Sequence, residues 1–163
     1  MKIKDAKIVR ETLVKVVFSS LFLNEKDENT QFTMWSVKDE CLVLSQDGVN
    51  EFLSEEQLDE EIKENTIFYL QKYCEYKNEF TSLIEKHLKE GFSIERLSKS
   101  DLAIIYVAML ELKLNSELSE RIIVNEAVEN AKAYSGENSF KFVNGILRNL
   151  VKEIRNEWSS IFS

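Results

Sequence analysis

Lys4, Lys7, Arg10 and Lys15 fall within one short amphipathic stretch, and Phe18 follows Lys15 by about one helical turn. At 3.6 residues per turn, Lys4, Lys7 and Lys15 project from one side with Glu11 among them, opposite Ala6, Val9, Leu13, Val16, Val17 and Ser20. Ammonium groups neutralise phosphates and an aromatic face stacks an unpaired base, so the pattern suits single-stranded nucleic acid. On charge alone, an ordinary solvated helix face is the stronger reading, because lysines on helices are common and Glu11 interrupts the field. A second basic row, Lys141, Arg148, Lys152 and Arg155, has spacings of seven, four and three, which keep it on one helix face. The same two readings apply to it.

Catalytic chemistry finds little material. The lone histidine, His87, lies among Glu85, Lys86, Lys89 and Glu90 and reads as a solvated surface residue rather than a general base. No phosphate-cradling Gly-rich loop, HExxH or nucleophile elbow is present, and Glu55-Glu56 and Glu60-Glu61 diverge on a helix. Cys41 and Cys74 stand far apart without a CxxC or His/Cys cluster, so free thiols are expected, with no zinc site, disulfide framework or cofactor.

The elements that position these side chains are helical. The 163 residues include no proline and four glycines, whereas a β-rich chain needs more turn-formers and regular alternation. An all-α bundle of six or seven helices is expected, as one domain over 1–163 with sub-bundles at about 1–90 and 97–158. The formal charge is −8, with thirteen acids against three lysines over 24–64, so any nucleic-acid contact must be local. The start, MKIKDAKIVRE, has no uninterrupted apolar core of signal-peptide length and no run approaches a membrane span, which predicts a cytoplasmic protein without membrane contact.

Periodicity predicts a first helix over about 4–23. Residues 24–57 read as loop with a short helix and a turn at Asp47-Gly48. From about Ser54 to Lys89 the pattern implies two helices or one bent helix, with Gly91 as a stop. Ser98 or Ser100 caps the next helix, where Asp101 suits the N-terminal dipole and Leu102 to Leu110 are all apolar, as in a helix buried on every side. A helix over about 120–134 closes at Ser135-Gly136, and Asn138 or Ser139 caps a last one over about 140–158.

Within "GENSFKFVNGIL", residues 136–147, the turn-like pair Asn144-Gly145 interrupts an apolar helical pattern. A helical glycine costs about 1 kcal/mol relative to alanine, so the missing Cβ implies a close approach. The approaching group is either a neighbouring helix, the favoured reading, or a ligand beside Lys141.

The run IIVNEAVENAKAYSGENSFKFVNGIL resembles the C-terminal signature of the NusB family, an "INEAVELAK" helix leading through a Gly-containing loop to "S-x-KFVNGVL". LSKSDLAIIYVAMLEL is similar to the family's "L-x-R-x-D-x-AILRLAxYEL" helix, and RETLVKVVF corresponds in register to "RExAxQxLY". The likeness is strong over about 97–154 and weaker over 10–23.

The resemblance implies a small helical adaptor without an active site. It would pair with ribosomal protein S10 (NusE), bind boxA RNA and join the RNA polymerase antitermination complex at ribosomal RNA operons. Matched RNA-binding positions are Lys4, Lys7, Arg10 and the helix-one aromatic Phe18, with Asn138, Ser139 and Lys141 at the last helix; Lys15 joins them from the charge pattern. Asp101 matches an acidic position implicated in the S10 contact, and the Phe18 face is a ready homodimer surface. The chain departs from the family at its usual arginine cluster, which reads AKIVR here, and lysine lacks arginine's bidentate phosphate geometry. It also departs at Tyr106, Leu110, Ser119 and Asn138. Two rivals follow: an interaction module of this fold with weakened RNA binding, and an accessory domain for a separate RNA-modifying enzyme.

Overall fold

Twelve successive residues, Asp101 to Leu112, are buried within a single helix, as the unbroken apolar run requires. In the computed structural model of the protein, backbone is described for residues 3–23, 34–136 and 138–162, and side chains for 5–23, 34–136 and 138–155. Among the described residues there are six α-helices: α1 (Ile3–Ser20), α2 (Gln46–Glu55), α3 (Glu60–Lys86), α4 (Lys99–Leu114), α5 (Glu120–Tyr134) and α6 (Ser139–Phe162). The all-α architecture is as expected, with one addition, a hairpin of β1 (Trp35–Lys38) and β2 (Cys41–Leu44). The chain forms two compact units, Met1–Tyr76 and Lys77–Ser163, and the boundary falls inside α3.

In the first unit, α1 buries Val9, Leu13, Val16 and Val17, and the hairpin adds Trp35, Val37 and Leu42. Trp35 Nε1 donates to Ser19 Oγ at 3.0 Å, and its ring meets Tyr73 edge-on with centroids 5.9 Å apart. The Tyr73 hydroxyl and Ser20 Oγ lie 2.8 Å apart, so both buried polar groups are satisfied.

The hairpin corrects the expectation of loop for the described part of 24–57; residues 24–33 lie outside the described residues. Trp35 pairs with Leu44 and Lys38 with Cys41, leaving Asp39 and Glu40 as a two-residue turn with φ of 53° and 59°. These angles are those of a type I′ turn, which needs positive φ at both central residues and which Asn-Gly normally supplies; Asp-Glu meets the geometry without advertising it. Asp47-Gly48 is likewise not a turn. Ser45 caps α2 by accepting from Gly48 N at 3.2 Å, placing both residues in the first helical turn.

α3 is a single 27-residue helix, so most of the span from Ser54 to Lys89 is one helix rather than two. In the second unit, α4 packs against α5 and α6, burying Ile123, Ala127 and Ala131 along with Val143, Leu147 and Leu150. Of the two proposed caps for α4, Ser98 serves, accepting from Asp101 N at 3.1 Å. Ser119 caps α5 through Ile122 N, and Gly136, at φ +100°, follows its end. Arg155 ties α6 to the far end of α4: Nε donates to Leu112 O, and one terminal nitrogen donates to Asn115 O and Leu118 O.

Candidate nucleic-acid interface

α1 is buried over most of its circumference, Thr12 and Val14 included, so its exposed side is narrow. That side carries Lys7, Lys15 and Phe18, with the partly exposed Glu11 between the lysines. Phe22, in the turn after α1, continues the stripe: it is 54% exposed and meets Phe18 edge-on, with centroids 5.1 Å apart. Sequence reasoning missed Phe22, although residues 7, 11, 15, 18 and 22 recur at spacings of four, four, three and four.

The cations on α1 are not equivalent. Lys7 is exposed and pairs with no described residue. Lys15 lies 3.8 Å from Glu56 Oε2, a loose, exposed ion pair. Arg10 is only 7% exposed, because it sits toward the packed side rather than beside the lysines. The backbone of Lys4 belongs to α1, but its side chain lies outside the described residues.

The second set sits at the start of α6, in the other unit. Asn138 is exposed before the helix, Ser139 is its first residue, and Lys141 is exposed in its first turn. Ser139 Oγ donates to Ser135 O at 3.3 Å, and Ser135 Oγ donates to Ser100 Oγ at 2.8 Å. Since Ser100 Oγ lies 3.1 Å from Ser98 Oγ, a chain of serines links the α6 start to the α4 cap. Asp101, beside that cap, is 6% exposed, and its Oδ1 has no hydrogen-bond partner among the described residues.

Gly145 does not admit a neighbouring helix. A Cβ built there meets nothing within 4 Å among the described residues, which overturns the close-packing expectation. It borders a hollow of about 460 Å³ with Lys89, Phe92, Lys141 and Phe142. Phe92, also missed from sequence, is 60% exposed there. The solvated His87 of the sequence reading is instead held by Glu153 at 2.8 Å, and Lys86 reaches the same oxygen at 2.9 Å. The Lys86 hydrogen bond, with His87 adding to it, keeps the Glu153 carboxyl below its ordinary pKa.

Among the described residues no three His, Cys, Asp or Glu side chains are grouped to hold a metal, and no helix is long and apolar enough to cross a membrane. Cys74 is partly buried, which pushes its thiol up to about 11, and Cys41 is exposed.

These features define a class: all-helical proteins that present charge and aromatic rings from helix sides. A family model described as "NusB family" matches residues 7–152. The curated Transcription antitermination protein NusB of Ligilactobacillus salivarius is 38% identical over 109 residues, covering 64% of this chain and 82% of that protein. A solved structure of T. maritima NusB superposes with a TM-score of 0.68 at 29% identity, covering 90% of each chain. The chain belongs to the NusB family.

Proposed function

We propose that this protein is a transcription antitermination adaptor that binds boxA-type RNA together with ribosomal protein S10 (NusE) and acts on RNA polymerase at ribosomal RNA operons. The observation that carries the reading is the exposed stripe of Lys7, Lys15, Phe18 and Phe22 in a chain of net charge −8. Phosphates lie along Lys7 and Lys15, with Lys4 assigned to the same contact from its place in the sequence, and an unpaired base stacks on the Phe18–Phe22 pair. Arg10 adds charge from beneath this face. Asn138, Ser139 and Lys141 contribute through the α6 N-terminus, where free backbone N–H groups favour an anion.

Asp101 supports the S10 contact in a specific way. A buried carboxylate oxygen without a hydrogen bond is costly, and a shift at the α4 cap on docking would open it to a donor from a basic partner. The acidic remainder of the chain suits such a partner, since opposite potentials speed encounter and fix orientation. Titrating a boxA-like RNA with and without S10, against a scrambled RNA, tests the proposal. An S10-dependent gain for boxA is expected, and equal affinities for both RNAs overturn it.

A second reading has its own observation. Burial of Arg10 and the pairing of Lys15 with Glu56 leave Lys7 as the one unpaired exposed cation among the described residues of α1, as in an interaction module with weakened RNA binding. The double variant Lys7→Glu/Lys15→Glu separates the two readings. An RNA-reading adaptor loses salt-sensitive RNA affinity, while a protein-only module is unchanged toward RNA.

A further inference from the structure

The second basic row divides within the fold. Arg155 is engaged with three backbone carbonyls, whereas Arg148 and Lys152 are exposed and pair with no described residue. They meet Arg121 of α5, also exposed and unpaired among the described residues, around a groove of about 690 Å³ between α5 and α6. Val124 and Val151 supply its apolar lining, and Glu120 is the one acid among the lining residues. Elsewhere in the same unit Lys86, Lys113 and Lys132 each have a carboxylate within 3.4 Å. Arg121, Arg148 and Lys152 thus surround one hollow without a described carboxylate partner, in a chain of net charge −8.

Two carboxamides enter the same groove, Asn125 from α5 and Asn144 from α6. Both belong to the stretches that carry the family likeness, "VNEA" and "FVNG", yet neither is needed for the α1 face. Asn125 follows Arg121 by four residues, and Asn144, Arg148 and Lys152 also succeed one another at four, so each helix presents one continuous polar edge. A carboxamide offers both a donor and an acceptor, which matches base edges and ribose hydroxyls, while guanidinium and ammonium groups match phosphate.

We infer that the α5/α6 groove is a second RNA-binding surface, in which Arg121, Arg148 and Lys152 hold the phosphates of a single-stranded segment and Asn125 and Asn144 contact its bases or riboses. Lys141 lies two turns before Arg148 on α6 and within about 20° of it around the axis, so the groove continues the charge that begins at the α6 start. A basic protein is repelled by this groove, which separates it from the proposed S10 contact. The inference rests on the RNA-binding reading, and it adds a site that does not depend on α1.

The test uses the full chain, a fluorescent boxA-like single-stranded RNA and a salt series. For Arg148→Gln/Lys152→Gln, removal of two phosphate contacts flattens the plot of log affinity against log salt by about 1.4, with affinity at low salt falling about tenfold. S10 binding and the melting temperature stay unchanged, because neither side chain has a described partner to lose. Unchanged affinity and slope overturn the inference. A polyglutamate probe that loses binding in this variant while RNA does not also overturns it, since the groove is then a site for acidic protein. Lys7→Glu/Lys15→Glu, measured in parallel, distinguishes the failures: if it weakens RNA binding and the α6 variant does not, only the groove falls. If neither variant responds, the RNA reading falls as well.

Discussion

The basic rows of α1 and α6 look alike as sequence and have opposite fates in the fold. On α1 the arginine is drawn into the packed side and one lysine approaches a carboxylate, leaving Lys7 and a pair of aromatic rings outward. On α6 one arginine closes the end of another helix, while Arg148 and Lys152 remain exposed above a groove. Side-chain charge alone therefore does not separate a structural cation from a binding one. The separation comes from whether backbone carbonyls or carboxylates lie within reach.

The largest test of that contrast is Arg155→Ala. It removes three charge-assisted hydrogen bonds and leaves the carbonyls of Leu112 and Leu118 without that donor, while Asn115 O keeps its bond from Leu118 N, a loss of about 2–4 kcal/mol by denaturant unfolding. Arg148→Ala, about two turns away on the same helix, stays within about 0.5 kcal/mol of the parent. Equal losses at both positions would show that the row is not divided as described.

Much of the second unit was legible because its signals are local. Ser98 and Ser119 cap α4 and α5 where a cap was called for or a helix start was expected, and the run from Leu102 to Leu110 announces a buried helix. The hairpin was hidden because Asp39-Glu40 reaches positive φ without glycine or asparagine, while Asp47-Gly48 mimics a turn from inside a capped helix. Arg10 and Arg155 were opaque for a different reason: what they face is set by packing and by carbonyls about forty residues away, which helical periodicity does not encode. Phe22 was within reach of a longer count along the α1 stripe.

Two glycines sharpen the picture of the α6 surface at a smaller scale. Gly136 adopts φ +100°, so Gly136→Ala forces a side chain into the left-handed region and costs about 1–2 kcal/mol. Gly145 is exposed inside α6 with open space where a Cβ would stand, so Gly145→Ala raises stability by about 0.5–1 kcal/mol. Thermal unfolding of the two variants should move in opposite directions. A loss at Gly145 would restore the close approach that the geometry denies.

The smallest expected effect bears most directly on α1. Glu56 holds Lys15 at 3.8 Å, with both side chains substantially exposed, so the pair adds little to stability and is screened by salt. Glu56→Gln should leave unfolding within about 0.5 kcal/mol of the parent, since exposed pairs rarely contribute more. If phosphates lie along Lys7 and Lys15, removing the carboxylate releases Lys15 to them and lifts a local repulsion, raising RNA affinity about two- to threefold at low salt. That gain should vanish in the Lys15→Gln background, because the carboxylate acts through that lysine. A gain that persists there would assign the effect to general charge reduction and remove Lys15 from the RNA-contacting face.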